Sequence, residues 1–199
     1  LGRVYETMKI GVKPYPSCRY THAAIDALLA MRRAHNLTPD QIKRVEIGLH
    51  RNGITLTGDA PTKRHPTSIV GGQFSMFFTG ALALDQGRFG WDDYARLGDK
   101  AINALADKID VVQDDRLEVG RTHPFGARVT VTTDDGVHEE LYPDPSGEPT
   151  SFPDSAAMRQ KFLTLARPVL DGQAEKFADA ILSLETYDRA ASAIQLGRA

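Results

Sequence analysis

Apolar and polar positions alternate with different periods along the chain, and each period predicts an element. Thr21 stands before Ala24, Ile25, Leu28, Leu29 and Met31, the spacing of one helical face, with Arg32 and Arg33 at the far end where cations favour a helix C-terminus. Thr21 is the predicted cap. Thr38-Pro39-Asp40-Gln41 has the composition of a helix start and predicts a short helix. Val45, Ile47 and Leu49 alternate with Glu46, Gly48 and His50, a period of two that predicts a strand with one buried face. Residues 52–66, rich in Gly, Thr and Pro, read as a long surface connection. Ser68 to Leu84 is almost uncharged and predicts one buried central helix, ended by Gly87 and Gly90.

A helix over 99–108 and a strand at Val111 and Val112 follow. Arg128–Thr133 and Val137–Leu141 then flank Asp134-Asp135-Gly136, which predicts a tight hairpin. After the Pro- and Gly-rich stretch from Pro143 to Pro153 every pattern is helical. Met158, Phe162, Leu165 and Ala166 form one face, Phe177, Ile181 and Leu184 another, and Tyr187, Ala191 and Ile194 a weaker third. The order predicts an α+β fold with a small mixed sheet and packed helices over residues 1–150, then a helical segment over 151–199.

Charge narrows the partners. With 24 basic and 26 acidic residues among 199 the formal charge is -2, which gives no field for a polyphosphate, so nucleic acid is not an expected partner. No apolar run has the length of a membrane span and no signal peptide is evident, so the expected location is the cytoplasm. Cys18, the single cysteine, fits a reducing compartment. Leu1 in place of methionine suggests a piece of a longer protein.

The densest reactive run is KPYPSCRYTH, Lys13 to His22, where a proline strap over 9–20 meets a helix N-terminus. Such an end favours anions. A polyproline period of three puts Lys13, Pro16 and Arg19 on one side, two cations beside one anion; the plainer alternative is two solvated surface cations. In the first helical turn His22 is expected neutral, able to act as base or hydrogen-bond donor, or simply to pack against the strap. Cys18 is either an activated thiol or a small buried group. Gln73 and Ser75, polar in an apolar helix, either meet a ligand or bond to backbone. His35, His50, His65, His123 and His138 are scattered without ligand spacing, so no metal site is expected; P-loop, dinucleotide and Gly-x-Ser-x-Gly motifs are absent.

KPYPSCRYTHAAIDAL, QFSMFFTGALALDQGRFG and GEPTSFPD followed by QKF resemble, in order and spacing, the signature segments of the C-terminal half of the MmgE/PrpD family. The resemblance implies a fold of a large all-helical domain and a smaller α+β domain with the active site between them, typically in a homodimer. It implies small di- or tricarboxylate substrates handled without a metal or organic cofactor, with 2-methylcitrate dehydratase, cis-aconitate decarboxylase and iminodisuccinate epimerase among the members. The helices after Pro153 resemble the segment that returns to the helical domain, which this chain then lacks. Family decarboxylases carry a lysine at the position of Lys13 and a histidine where this chain has Cys18; a tyrosine aligns with Phe78. These departures point away from cis-aconitate decarboxylation. The resulting expectation is a dehydratase-type lyase with Lys13, Cys18 and His22 catalytic and Arg19, Tyr20, Gln73, Ser75 and Phe78 binding substrate. The alternatives are an epimerase or decarboxylase of similar acids, a non-catalytic assembly subunit, and a carboxylate-binding protein.

Overall fold

A computed structural model describes residues 2–118 and 125–198 of the chain. His123 lies outside the described residues. The chain forms two compact units, Leu1–Ser151 and Phe152–Ala199.

In the first unit α1 spans His22–Ala34, β1 Arg44–Leu49, α2 Arg51–Thr57, α3 Ile69–Gln73, α4 Met76–Gln86, α5 Lys100–Ala106, β2 Ile109–Gln113, β3 Ala127–Thr132 and β4 Val137–Tyr142. The fold is α+β. Among the described residues its four strands lie in the order β2-β1-β3-β4, with β1 parallel to β2 and antiparallel to β3, and β3 antiparallel to β4. The predicted hairpin is present: Thr132 pairs with Val137, and the amide of Thr133 donates to Gly136 O at 2.9 Å.

The period of two does what the alternation implies. Val45, Ile47 and Leu49 on β1 and Ala127, Val129 and Val131 on β3 are fully buried beneath α1 and α4. The α1 face contributes Ile25, Leu28 and Met31, with Ala23, Ala24 and Ala27 between them; small side chains let a helix approach its neighbours closely, so this core rests on close packing as well as apolar area.

The opposite face carries charge. Arg128, with 12% of its side chain exposed, donates to Asp114 Oδ2 and to Glu46 Oε1, each at 2.7 Å, and Arg116 also pairs with Asp114. Hydrogen bonds from the Arg116 and Arg128 guanidiniums hold the Asp114 carboxyl well below the usual carboxylate range. A carboxyl depressed in the folded state adds stability above its unfolded pKa and loses it as pH falls through the folded value. Urea midpoints are therefore expected to fall as pH drops from 7 through the ordinary carboxylate range, and Asp114→Asn should have a lower midpoint at pH 7 with a flatter acid limb.

Two predicted elements differ. Residues 52–66 are not a bare connection: α2 forms directly after β1, capped by His50, whose Nδ1 accepts from the Asn52 amide at 3.1 Å. Gly53 and Thr57 have weak helix propensity, yet both are buried, and a Cβ on Gly53 would lie 3.0 Å from the Tyr20 ring. Docking against Tyr20 overrides propensity here. The central helix is broken at Phe74 and Ser75 into α3 and α4. Ser75 caps α4 by accepting from the Phe78 amide at 2.9 Å while donating to the Lys63 carbonyl, so backbone groups claim its hydroxyl.

The second unit contains α6 (Ser155–Leu170), α7 (Ala174–Leu182) and α8 (Ala190–Ile194). Its core joins Leu163, Ala174 and Ala178 with Phe162, Ala166 and Leu170, and Phe162 meets Phe177 edge to face at 5.8 Å. The expected face is corrected by one residue, since Leu163 is buried and Leu165 is 53% exposed. Both choices fit a helical period; only the position of α7 decides between them. Among the described residues no helix is long and apolar enough to cross a membrane.

Candidate functional site

The strap is tied down from several sides. The Val12 amide donates to Gly147 O at 2.7 Å, Tyr15 Oη to Asp26 Oδ1 at 2.6 Å, Tyr94 Oη to Pro16 O at 2.7 Å, and the Cys18 amide to Gln73 O at 2.8 Å. Burial pushes the phenols of Tyr15 and Tyr94 above their ordinary range, and Asp26 adds to the effect at Tyr15. Both tyrosines therefore serve as neutral donors that fix backbone and carboxylate positions.

Thr21 is not the side-chain cap that the pattern suggests. A 3-10 turn over Arg19–Thr21 precedes α1, and Thr21 Oγ1 donates back to Cys18 O at 2.9 Å. A hydroxyl has one proton, so in the 2.8 Å contact between Ser17 and Thr21 it is Ser17 Oγ that donates. The turn from Ser17 to Thr21 is closed by its own side chains.

His22 is fully buried. Arg19 Nη1 lies 3.1 Å from His22 Nδ1, and a guanidinium can only donate, so Nδ1 accepts and the proton sits on Nε2, 3.3 Å from Ser17 O. That tautomer is the neutral imidazole expected at this position. Lys13 Nζ donates to the same Ser17 carbonyl at 3.1 Å. One backbone oxygen thus joins the lysine to the histidine.

Among the described contacts the two cations meet different partners. Arg19 Nη2 and Nε reach Glu148 Oε1 at 2.5 and 3.1 Å, and Nη1 lies 3.4 Å from Val12 O. The strap bends instead of holding a polyproline period, because Tyr15, Pro16 and Cys18 are each anchored to a different element.

Lys13 opens onto a cleft of about 230 Å³ between the strap and the break that separates α3 from α4. Cys18 and Gln73 share its lining with Pro16 and Ser17, and Phe74 and Trp91 complete it. Of the sequence candidates, Lys13, Cys18 and Gln73 come together here. Tyr20 packs on Gly53 and, edge to face at 4.9 Å, on Phe125. Phe78 is 1% exposed and stacked on Tyr94 at 6.0 Å, and Ser75 is consumed as a cap, so the two lie beneath the cleft in the core. Phe74 and Trp91 were missed as site residues; the signal available for Trp91 was a lone tryptophan just after Gly90. Glu148 sat in the GEPTSFPD segment, with nothing local to mark its partner.

A second cleft, of about 320 Å³, is lined by Asp26, Arg33, Tyr142, Asp144, Ser146 and Ser151. Asp26 there accepts from the amide of Ser146 at 2.7 Å and from its hydroxyl at 2.9 Å. Among the described residues no group of three or more His, Cys, Asp or Glu side chains is arranged to hold a metal ion.

No curated protein matches the chain. The MmgE/PrpD C-terminal domain matches it over residues 15–186, a span that begins within the strap, after Lys13, and includes α1, the sheet and both halves of the broken central helix. The chain belongs to the MmgE/PrpD family, as its C-terminal domain.

Proposed function

We propose that this domain supplies the carboxylate-holding side of a dehydratase-type lyase site for a small di- or tricarboxylate such as 2-methylcitrate. A helical domain of the kind the family resemblance implies completes that site. One observation carries the reading: Lys13 stands at a small cleft beside a thiol and an amide, on a strap that four other segments hold in place. In this reading Lys13 holds a substrate carboxylate and stabilises the negative charge that develops beside it as the neighbouring carbon loses its proton. Gln73 and Cys18 contact the bound acid. Both nitrogens of His22 are given to protein atoms, so its part is to position Ser17 O and, through it, Lys13. Arg19 acts at a further remove, by locking the strap to Glu148.

The family is of dehydratase and lyase type, and dehydration, epimerisation and decarboxylation of such acids share this charge-stabilising demand. In the protein carrying both domains, Lys13→Ala is expected to lower kcat/KM on its carboxylate substrate by at least about tenfold, the scale of one removed electrostatic contact to the transition state. Wild-type kinetics for that variant would remove the assignment. A second reading, a carboxylate-binding or assembly subunit without turnover, is favoured by the engagement of both His22 nitrogens. Saturable binding of the acid with no product after mixing with the helical domain distinguishes it.

A further inference from the structure

The second cleft shares no lining residue with the one at Lys13, and its charges are unmatched. Asp26 and Asp144 bring carboxylates to it, Arg33 a guanidinium and Tyr142 a phenol. Arg32 and Arg33 are neighbours near the end of α1 but are used differently. Arg32 donates to the carbonyls of Leu84 and Asp85 at 2.7 and 3.1 Å. Among the described residues Arg33 makes no hydrogen bond and no ion pair, although two acids border the same space. Burial pushes the Tyr142 phenol up, Glu140 and Asp26 add to the rise and Arg33 opposes it, so acid and base both act on one hydroxyl. That hydroxyl is a neutral donor.

Asp26 is close to saturated. Its Oδ1 accepts from Tyr15 Oη and Ser146 Oγ and its Oδ2 from the Ser146 amide; a carboxylate offers about four acceptor positions, so one remains on Oδ2. Asp26 and Arg33 stand about two turns apart on α1, roughly 10 Å along the axis, so the acceptor and the cation are spaced and not paired. A dicarboxylate placed here sets one of its ends against Asp26 and Asp144, and a diamine sets one of its ends against Arg33; either way like charges meet. We propose that this cleft is a second binding site, for a small zwitterion of the amino-acid class whose ammonium and carboxylate are separated by several carbons. Arg33 and the Tyr142 hydroxyl hold the carboxylate, and Asp26 with Asp144 holds the ammonium. At about 320 Å³ the cleft is at the small end of ligand pockets, the size for a free amino acid and not for a peptide. The site does not depend on the carboxylate reading of Lys13.

4-Aminobutyrate, succinate and 1,4-diaminobutane share a four-carbon chain and differ in their end charges. Each is titrated into the isotope-labelled full chain, with the Ser146 amide resonance as the local reporter because that amide donates to Asp26 at 2.7 Å. 4-Aminobutyrate is expected to shift the resonance saturably, with a Kd at least about tenfold below those of the other two, the scale of one charge pair exchanged for a repulsion. Arg33→Met, at an exposed position, and Tyr142→Phe, which keeps the ring against the core, should each weaken 4-aminobutyrate by about tenfold, as expected for a lost hydrogen bond to a charged group. Lys13→Met should leave its binding unchanged. Absence of a saturable shift, a shift indifferent to Arg33→Met, an equal response to all three molecules, or a response lost in Lys13→Met would each overturn the proposal.

Discussion

Phe78→Ala is expected to destabilise the first unit by about 3–5 kcal/mol, the range for deleting a buried aromatic ring from a close-packed core. Phe78 is 1% exposed, its amide anchors the α4 cap, and its ring stacks on Tyr94 while lying where a Cβ on Gly72 would be 3.2 Å away. Chemical denaturation should therefore show a lower midpoint with an unchanged slope. Phe78→Leu, which keeps most of the volume, should recover more than half of the loss. If Phe78→Ala instead kept wild-type stability and lost only activity, the ring would belong to the substrate and not to the core.

Gly147→Ala carries a comparable cost through the backbone. Gly147 has φ of 82°, in the left-handed region, and a Cβ there would run into the carbonyl of Val12. The left-handed conformation alone costs a residue with a Cβ about 1–2 kcal/mol. Displacing Val12 adds the loss of its 2.7 Å hydrogen bond to Gly147 O, for a total of about 3 kcal/mol. The effect should be greatest at the strap. Cys18, the only cysteine, is 9% exposed, so its rate of reaction with a thiol reagent measures strap opening directly. That rate should rise at least about tenfold, the equivalent of 1.4 kcal/mol in the local opening equilibrium. An unchanged rate would mean that Tyr15, Tyr94 and Gln73 hold the strap without help from Gly147.

The elements read well from the sequence are those whose signals are local. β1 alternates strictly, the Asp134-Asp135-Gly136 turn has its own chemistry, and α1 keeps one apolar stripe from Ala24 to Met31. The losses came where distant contacts decide. α2 is helical because Gly53 and Thr57 are buried, one of them against Tyr20 more than thirty residues upstream, and no local propensity reports that. The break at Ser75 exists because Lys63 O accepts its hydroxyl and the Phe78 amide needs a cap. The site divides in the same way. Lys13, Cys18 and Gln73 were singled out by their chemistry and line one cleft, whereas Arg19 has its carboxylate 129 positions away in Glu148. The arginine's guanidinium gave no hint of which acid it meets. Trp91 was overlooked because an exposed aromatic is unremarkable until a cavity is seen beside it.

The position of β1 in the middle of the sheet bears on how the chain comes to be folded. Both of its neighbours, β2 and β3, lie downstream, paired with it at Ile109–Gln113 and Ala127–Thr132. A ribosome therefore delivers the central strand first and leaves Val45, Ile47 and Leu49 without their sheet until most of the unit has emerged. Pairings so remote along the chain are slow to close. Until then the nascent polypeptide exposes a β-prone apolar edge, the kind of surface that aggregates or recruits a chaperone.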